Sequence, residues 1–286
     1  MLEKIKSTLL LIIMTLSAGC EKNIKDGLVP EFEPKLVVMS FITPGDSVSY
    51  VNIMGNTPIF GEKHWIQDYG KITGYISDGN REANFRTNQF GFYFNRNDIQ
   101  VEAGKTYAIR VISDKGYEAE GITTVPDDYD FDIKVDTFTV TMTDHGYTRK
   151  VRKFNAEFSD QPGKENYYRI MAVQMTYYNY PGQGPHIAMQ KINLEKNMFN
   201  ETNMNTEGKI IVSSNTNNDF YKSDSSLLKI FLINCDKSYY LYHKSLDNYS
   251  DNDNPFTEAS PVYSNISGGL GIFTSYTIDS LIFRLK

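Results

Sequence analysis

The hydrophobic pattern from residue 35 onward consists of short β-branched and aromatic runs separated by turn residues, which is typical of β-strands. Between residues 106 and 112, Tyr107, Ile109 and Val111 alternate with small or charged residues, so they share the buried face of one strand. Pro44 and Gly45 occupy the two central positions of a type II turn. In this part of the chain the pattern predicts strands over residues 35–42, 47–53, 71–77, 90–94, 106–112 and 117–124.

A polar break at residues 125–128 precedes a second set of apolar runs. These predict strands over residues 131–135, 137–143, 151–158, 167–178, 186–192, 209–213, 227–234 and 275–285. Tyr239, Tyr242, Leu246 and Tyr249 recur at helical spacing and predict one helix, whereas the Asn-rich residues 193–218 predict a long loop or excursion. The expected fold is all-β. It comprises an immunoglobulin/fibronectin-like or transthyretin-like β-sandwich over residues 35–126 and a β-rich domain with a short helix over residues 127–286.

The first nineteen residues carry a different hydrophobic pattern, which is typical of a secretory signal peptide. Lys4 and Lys6 precede an apolar run over residues 9–14, and the small residues Ser17, Ala18 and Gly19 follow. The run is too short for a transmembrane helix, which needs about 20 apolar residues. We therefore predict a signal peptide over residues 1–19.

Cys20 sharpens this prediction, because Ala18, Gly19 and Cys20 resemble the end of a bacterial lipobox. In that signal the cysteine becomes the first residue of the mature chain and carries a diacylglycerol on sulfur and an acyl chain, such as palmitate, on nitrogen. We predict lipid attachment at Cys20, with an ordinary signal peptide and a chance cysteine as the alternative. Residues 20–34 would be a tether, and its charges do not decide between the cell surface and the periplasmic leaflet.

Charge and cysteine content exclude several classes of protein. The chain has 29 Lys and Arg against 35 Asp and Glu, a net charge of −6, so it has no general attraction for nucleic acid phosphates. Two cysteines cannot form a disulfide-rich scaffold. With Cys20 acylated, Cys235 has no partner, and its position predicts a buried free thiol at the end of a strand.

The histidines and glycines do not match known catalytic motifs. His64, His145, His186 and His243 lack zinc-ligand spacing, no Gly-x-Ser-x-Gly elbow occurs, and surface or loop positions are expected for all four. The glycines at 268, 269 and 271 lack the strand and helix that flank a phosphate-binding loop, so we expect a tight backbone crossing there. We predict no catalytic residues, no metal and no cofactor beyond the acyl chains at Cys20.

Two other features are candidates for binding. Asp247, Asp251 and Asp253 could ligate Ca²⁺, but they lack the glycine and glutamate of an EF-hand loop, so a solvated connection is favoured. Trp65 and Tyr180 fall in predicted loops, where aromatic side chains stack on sugars or anchor a protein partner. These two residues are therefore the candidate contacts for a ligand or partner, with packing in the core as the alternative.

Several motifs resemble the Bacteroidota lipoprotein family of the domain of unknown function 4249. The matching stretches are Cys20-Glu21-Lys22 with Pro34-Lys35-Leu36-Val37-Val38, Phe158-Ser159-Asp160 with Glu165-Asn166-Tyr167-Tyr168-Arg169, Tyr239-Tyr240-Leu241-Tyr242 with Pro255-Phe256, and Tyr263-Ser264-Asn265-Ile266-Ser267-Gly268-Gly269-Leu270-Gly271-Ile272-Phe273. The resemblance implies a lipid-anchored, β-rich envelope protein encoded near a TonB-dependent outer-membrane receptor. It supplies no catalytic residues.

The expected function is therefore that of a non-enzymatic lipoprotein of the outer membrane. Its partners would be the lipid bilayer, through the acyl anchor, and a TonB-dependent receptor for which it captures a ligand. A structural or adhesive surface protein is the alternative, and an envelope hydrolase is a less favoured third class.

Overall fold

The computed structural model describes residues 32–58, 65–144, 146–180, 182, 184–204, 208–214, 226–250 and 261–284. Strands account for 59% of the structure and helices for 9%, so the predicted all-β class is confirmed. Residues Pro34–Lys286 form one compact unit.

The strands of the first half are short and are joined mainly by tight turns. They are β1 (Leu36–Ile42), β2 (Val48–Gly55), β3 (Ile72–Ser77), β4 (Glu82–Asn84), β5 (Arg86–Asn88), β6 (Gly91–Asn95), β7 (Thr106–Ser113) and β8 (Glu118–Thr124). A single turn of 3-10 helix, Ile66–Tyr69, precedes β3.

The second half contains longer strands and the helix. Its elements are β9 (Lys134–Asp144), β10 (Tyr147–Ser159), β11 (Tyr167–Tyr180), β12 (Gly184–Ile192), β13 (Met198–Asn200), β14 (Lys209–Ser213), β15 (Ser226–Cys235), α1 (Lys237–Ser250) and β16 (Leu270–Arg284). The strand predicted at residues 131–135 is wrong for residues 131–133, which precede β9, while its last two residues and the run at residues 137–143 form the single strand β9. The short strands β4, β5 and β13 were not predicted because three residues are too few to show periodicity.

One long sheet connects the two halves. Its strand order is β12-β11-β15-β16-β1-β2-β6-β5, with β13 added beside β11. A four-stranded sheet, β4-β3-β7-β8, packs against its β1 end, and a three-stranded sheet, β14-β10-β9, packs against its β11 end. The protein therefore consists of two β-sandwiches that share one sheet.

Each sandwich has its own apolar core. In the first core, Tyr107, Ile109 and Val111 are buried as the alternation predicts. The Tyr107 hydroxyl donates to the carbonyl of Gln100 at 2.8 Å, an arrangement that resembles the tyrosine corner of immunoglobulin-like sandwiches. The second core is built from β10, β11, β14 and β15, with members that include Phe154, Phe158, Ile170, Ile210, Val212, Leu228 and Ile230.

The last strand, β16, belongs to both sandwiches. Its first residues pair in parallel with β1, from Val37 opposite Leu270 onward, and its last residues pair antiparallel with β15. Phe273 consequently lies in the first core, while Phe283 packs against the second. The predicted domain boundary at residue 126 separates most residues of the two cores, but the strand that closes the first sandwich comes from the C-terminal end.

The glycine-rich segment before β16 makes the tight backbone crossing that its sequence predicts. Ser267 and Glu120 exchange two backbone hydrogen bonds at 2.7 and 2.9 Å, which brings the segment onto β8. A Cβ on Gly269 would lie 2.6 Å from the carbonyl oxygen of Leu36, and one on Gly268 would lie 2.6 Å from that of Glu118. Side chains are excluded here because two strands pass within backbone contact distance.

Candidate functional site

The most extended surface feature is the face of the long sheet that points away from the three-stranded sheet. The backbone register aligns side chains of β12, β11, β15 and β16 in rows across this face. We call it the outer face. Its apolar members are Met171, Val173, Met175, Tyr177, Ile187, Met189, Leu227, Phe231, Ile278 and Ile282, of which Met171 also packs against the residues that helix α1 covers.

Many of these apolar side chains are open to solvent. Their exposed fractions reach 70% for Met189 and 56% for Ile282, with Ile187, Ile278 and Tyr177 between 39% and 50%. The signal that the sequence offered was a long strand, β11, with apolar residues on both faces. Only the inward residues, such as Ile170 and Ala172, are explained by the core.

The outer face is also positively charged. Lys191, Lys229 and Arg284 lie in its rows, and the Lys229 ammonium lies 4.6 Å from the centre of the Phe231 ring. The described residues of these rows include no Asp or Glu. Asp279 of β16 points to the opposite side of the sheet. None of the three cations forms an ion pair with a residue in the described part of the chain.

Helix α1 covers the neighbouring rows of the same sheet face. Tyr239 and Tyr240 are buried against Tyr167, Ile233 and the Cys235 side chain. This confirms the helix that the tyrosine spacing predicts, and it bounds the outer face on one side.

Beneath α1, Arg169 meets an aromatic cluster. Its Nη1 donates to the Tyr239 hydroxyl at 3.0 Å and lies 3.1 Å from Nε2 of His243. The expected surface or loop position is wrong for His243, whose ring packs 4.4 Å from that of Tyr239 and 6.0 Å from that of Phe41. Burial and the nearby guanidinium lower the pKa of His243 to about 4, so the ring is neutral at physiological pH.

Because His243 is neutral in the folded protein, we predict that the protein loses stability in mild acid. The unfolded chain takes up a proton on this ring near pH 6.5, whereas the folded chain resists until about pH 4, so stability falls as the pH drops through that window. The partly exposed ring limits the loss to about 1–2 kcal/mol. We expect His243→Gln to remove this component from chemical unfolding curves recorded between pH 7 and 4. The control variant, His186→Gln on exposed β12, should keep this acid-dependent loss of stability. An unchanged acid response in His243→Gln would contradict its attribution to His243.

Cys235 is a buried free thiol at the end of β15, as predicted. Burial raises the pKa of this thiol well above its ordinary value, and its Sγ donates to the carbonyl oxygen of Tyr167 at 3.3 Å. A reactive cysteine needs a lowered pKa and access to solvent. The Cys235 side chain therefore contributes to the packing of the buried cluster and does not have the environment of a reactive thiol.

Asp236 ties three elements together. Its carboxylate accepts hydrogen bonds from the Thr123 hydroxyl of β8 at 2.5 Å, from the Thr274 hydroxyl of β16, and from the backbone N–H of Tyr239 at 2.7 Å. The last bond caps the N-terminus of α1. Burial raises the pKa of this carboxyl, although the hydrogen bonds act in the opposite direction. The bonds to Thr123 and Thr274 could not be predicted from the sequence, because these partners lie far from Asp236 along the chain.

A polar groove of about 430 Å³ lies beside Asp236, where the two sandwiches meet. Its charged rim is neutralised by the protein itself: Lys164 pairs with Asp127, and Lys237 lies 3.6 Å from Glu165.

Asn166 closes the turn between β10 and β11 through hydrogen bonds to the carbonyls of Gln161 and Lys164 at 2.6 and 3.0 Å. The motif around Asn166 is thus explained by the geometry of the β10–β11 turn.

The predicted contact residues do not converge on one described site. Trp65 is 67% exposed at the start of the 3-10 turn, where its backbone N–H donates to the Asp68 carboxylate at 2.7 Å. Tyr180 ends β11, and its side chain is outside the described residues. Cys20 is also outside them, as are His64, His145 and residues 251–253 of the calcium candidate, whose Asp247 is exposed on α1.

No group of three or more His, Cys, Asp or Glu residues within them is placed to hold a metal ion. No helix among the described residues is long and apolar enough to cross a membrane.

The fold defines an all-β protein of two sandwiches on a shared sheet, with a helix-covered aromatic cluster and an exposed apolar face. The chain belongs to the family described as Domain of unknown function (DUF4249), whose sequence model matches residues 22–282. No curated protein matches the chain.

Proposed function

We propose that the protein is a non-enzymatic, lipid-anchored protein of the bacterial outer membrane that serves as an accessory binding component beside a TonB-dependent receptor. The observation that carries a role at the membrane surface is the outer face, because monomeric proteins rarely expose a contiguous apolar surface of this extent unless it contacts something. The lipobox-like Cys20 supports the membrane location. Trp65 and Tyr180 are the proposed contacts for the captured ligand or partner.

Three buried or partly buried groups that could in principle act as a nucleophile, acid or base have structural roles, which supports a function without catalysis. Cys235 is buried with a raised pKa, His243 is held neutral under α1, and Asp236 is occupied as a helix cap. These groups stabilise the fold in the arrangement observed.

The anchor is tested by Cys20→Ser in the full chain. We expect the wild type to incorporate labelled palmitate and to fractionate with outer membranes, and the variant to lose the label and most of its membrane association, because two or more buried acyl chains hold a protein stably on a bilayer. Cys235→Ser is the matched control and should keep both properties. Equal labelling of wild type and Cys20→Ser would contradict the anchor.

The partner is tested by affinity purification of the tagged wild type from native membranes, followed by mass spectrometry. Recovery of a TonB-dependent receptor is expected, with weaker recovery for Trp65→Ala. Repeated failure to recover such a receptor would overturn the accessory role while leaving the anchor experiment intact.

A further inference from the structure

The outer face is large enough to be a contact surface in its own right. Four strands at about 4.8 Å spacing give a width near 15 Å. Along β11, the eight residue steps from Arg169, which lies in the row of Ile278, to Tyr177 give a length of about 26 Å. Helix α1 covers Ile233 in the row of Ile278 and contacts the neighbouring Met171, but it leaves Ile278, Ile282, Met189, Ile187 and Tyr177 exposed. The exposed apolar residues are therefore contiguous and not scattered singly over the surface.

Charge on the outer face is opposite to that of the whole protein. The chain carries a net charge of −6, yet the rows of this face hold Lys191, Lys229 and Arg284 and no carboxylate. An acidic protein that concentrates cations among exposed apolar side chains presents a local site for an anionic, apolar surface.

The polar chemistry of the outer face favours a bilayer over a protein partner. Protein interfaces carry about one hydrogen bond per 100–200 Å². Apart from the three cations, the described rows hold few polar side chains, chiefly Tyr177 and Ser280. A bilayer needs few directional bonds, since acyl chains accept the apolar side chains and phosphates attract the ammonium and guanidinium groups.

A second copy of the chain fits the outer face less well. A symmetric dimer through the same face would bring the cations of the two copies together without carboxylates to pair with them. Such like-charge contacts oppose association.

We propose that the outer face docks on the surface of a phospholipid bilayer with anionic headgroups, with the apolar side chains at the headgroup boundary and the three cations against phosphates. This inference rests on the proposed membrane location. The outer face belongs to the second sandwich, which leaves Trp65 of the first sandwich outside the contact.

The test uses the chain from Glu21 to Lys286, which lacks the acyl anchor and keeps the whole compact unit Pro34–Lys286. It is sedimented with vesicles of phosphatidylcholine containing about 30% phosphatidylglycerol and with phosphatidylcholine alone. We expect binding to the anionic vesicles, several-fold weaker binding to the neutral ones, and weakening by salt, because exposed charges are screened.

Variants assign the contact to the outer face. Met189→Glu combined with Ile282→Glu should lower partitioning by about tenfold or more, because carboxylates would enter an apolar and anionic environment. Ile211→Glu is the matched control: Ile211 is 49% exposed on β14 of the three-stranded sheet, and its variant should bind like wild type. Replacing Lys191, Lys229 and Arg284 together by Gln should abolish the preference for anionic vesicles.

Three results would overturn the docking. The first is no sedimentation of wild type with either vesicle, which would point to a protein partner. The second is equal loss in Ile211→Glu and the double variant. The third is a concentration-dependent dimer in sedimentation velocity that the double variant abolishes, which would assign the face to a second copy. Each leaves the Cys20 experiment unaffected, so failure of the docking and failure of the anchor are distinguishable.

Discussion

Gly271→Ala is expected to destabilise the protein by about 3–4 kcal/mol, one of the largest effects of any single substitution here. Gly271 has φ of +113° and pairs with Val38 in the parallel register of β16 and β1. A Cβ at this position would collide with the carbonyl oxygen of Val38 and lie 2.9 Å from its carbonyl carbon. Those atoms belong to the backbone, so relief requires β16 to move away from β1, and the first core would lose the packing of Phe273.

Gly91→Ala is the matched control for this prediction. Gly91 has nearly the same φ, +116°, but a Cβ there meets no atom within 4 Å. The Gly91→Ala substitution should therefore lower the free energy of unfolding only by the backbone strain, about 1–2 kcal/mol. The measurement is chemical unfolding of the chain from Glu21 to Lys286, followed by circular dichroism. If the two variants lose equal stability, the close approach of β16 to β1 is not what requires glycine at 271.

Asp236→Ala is expected to destabilise the protein by about 2–4 kcal/mol. Removal of the helix cap accounts for about 1 kcal/mol, and the Thr123 and Thr274 hydroxyls would lose the acceptor to which they donate. The effect should be cooperative across the molecule, because these bonds join β8, β16 and α1. The unfolding transition should shift by the same amount whether it is monitored by the tyrosines of the α1 cluster or by backbone circular dichroism.

Asp236→Asn separates the geometry of this carboxylate from its charge. Asparagine also caps helices and keeps an oxygen for the threonine hydroxyls, so we expect a loss below about 1 kcal/mol at pH 7. Because burial raises the pKa of Asp236 above 3.8, the folded state holds the proton more tightly than the unfolded chain. This contribution to stability is present below pH 3.8 and is lost as the pH rises through the folded pKa. The free energy of unfolding of the wild type should therefore increase relative to that of the Asn variant as the pH falls through this window. A difference in stability that does not change with pH would show that the carboxyl titrates normally.

The described fold changes how the family motifs are understood. Asn265 donates to the carbonyl of Phe273 at 2.7 Å and accepts from its N–H at 2.9 Å, so its side chain pairs with β16 as a strand would. Asp160 accepts from the Tyr168 hydroxyl at 2.6 Å and from the Asn166 amide at 3.1 Å. Both motifs hold the backbone in place, which explains their residue types without a ligand.

The sequence by itself determined the elements whose signals are local. Alternation within β7 identified its buried face, the tyrosine spacing identified α1, and the missing flanking elements around Gly268–Gly271 excluded a phosphate-binding loop. Each of these conclusions depends on residues fewer than about 15 positions apart, over which strand and helix periods are visible.

Only the tertiary structure decided which distant segments meet. The pairing of β16 with β1 joins residues more than 200 positions apart, and nothing in either strand specifies the other. The same holds for Asp236 with Thr123, for Arg169 with His243, and for the four strands whose outward residues form the outer face. Apolar periodicity shows that a side chain is suited to burial, but whether another layer covers it depends on how the sheets pack. That is why Met189 and Ile282 could be assigned to strands from the sequence and to an exposed surface only from the structure.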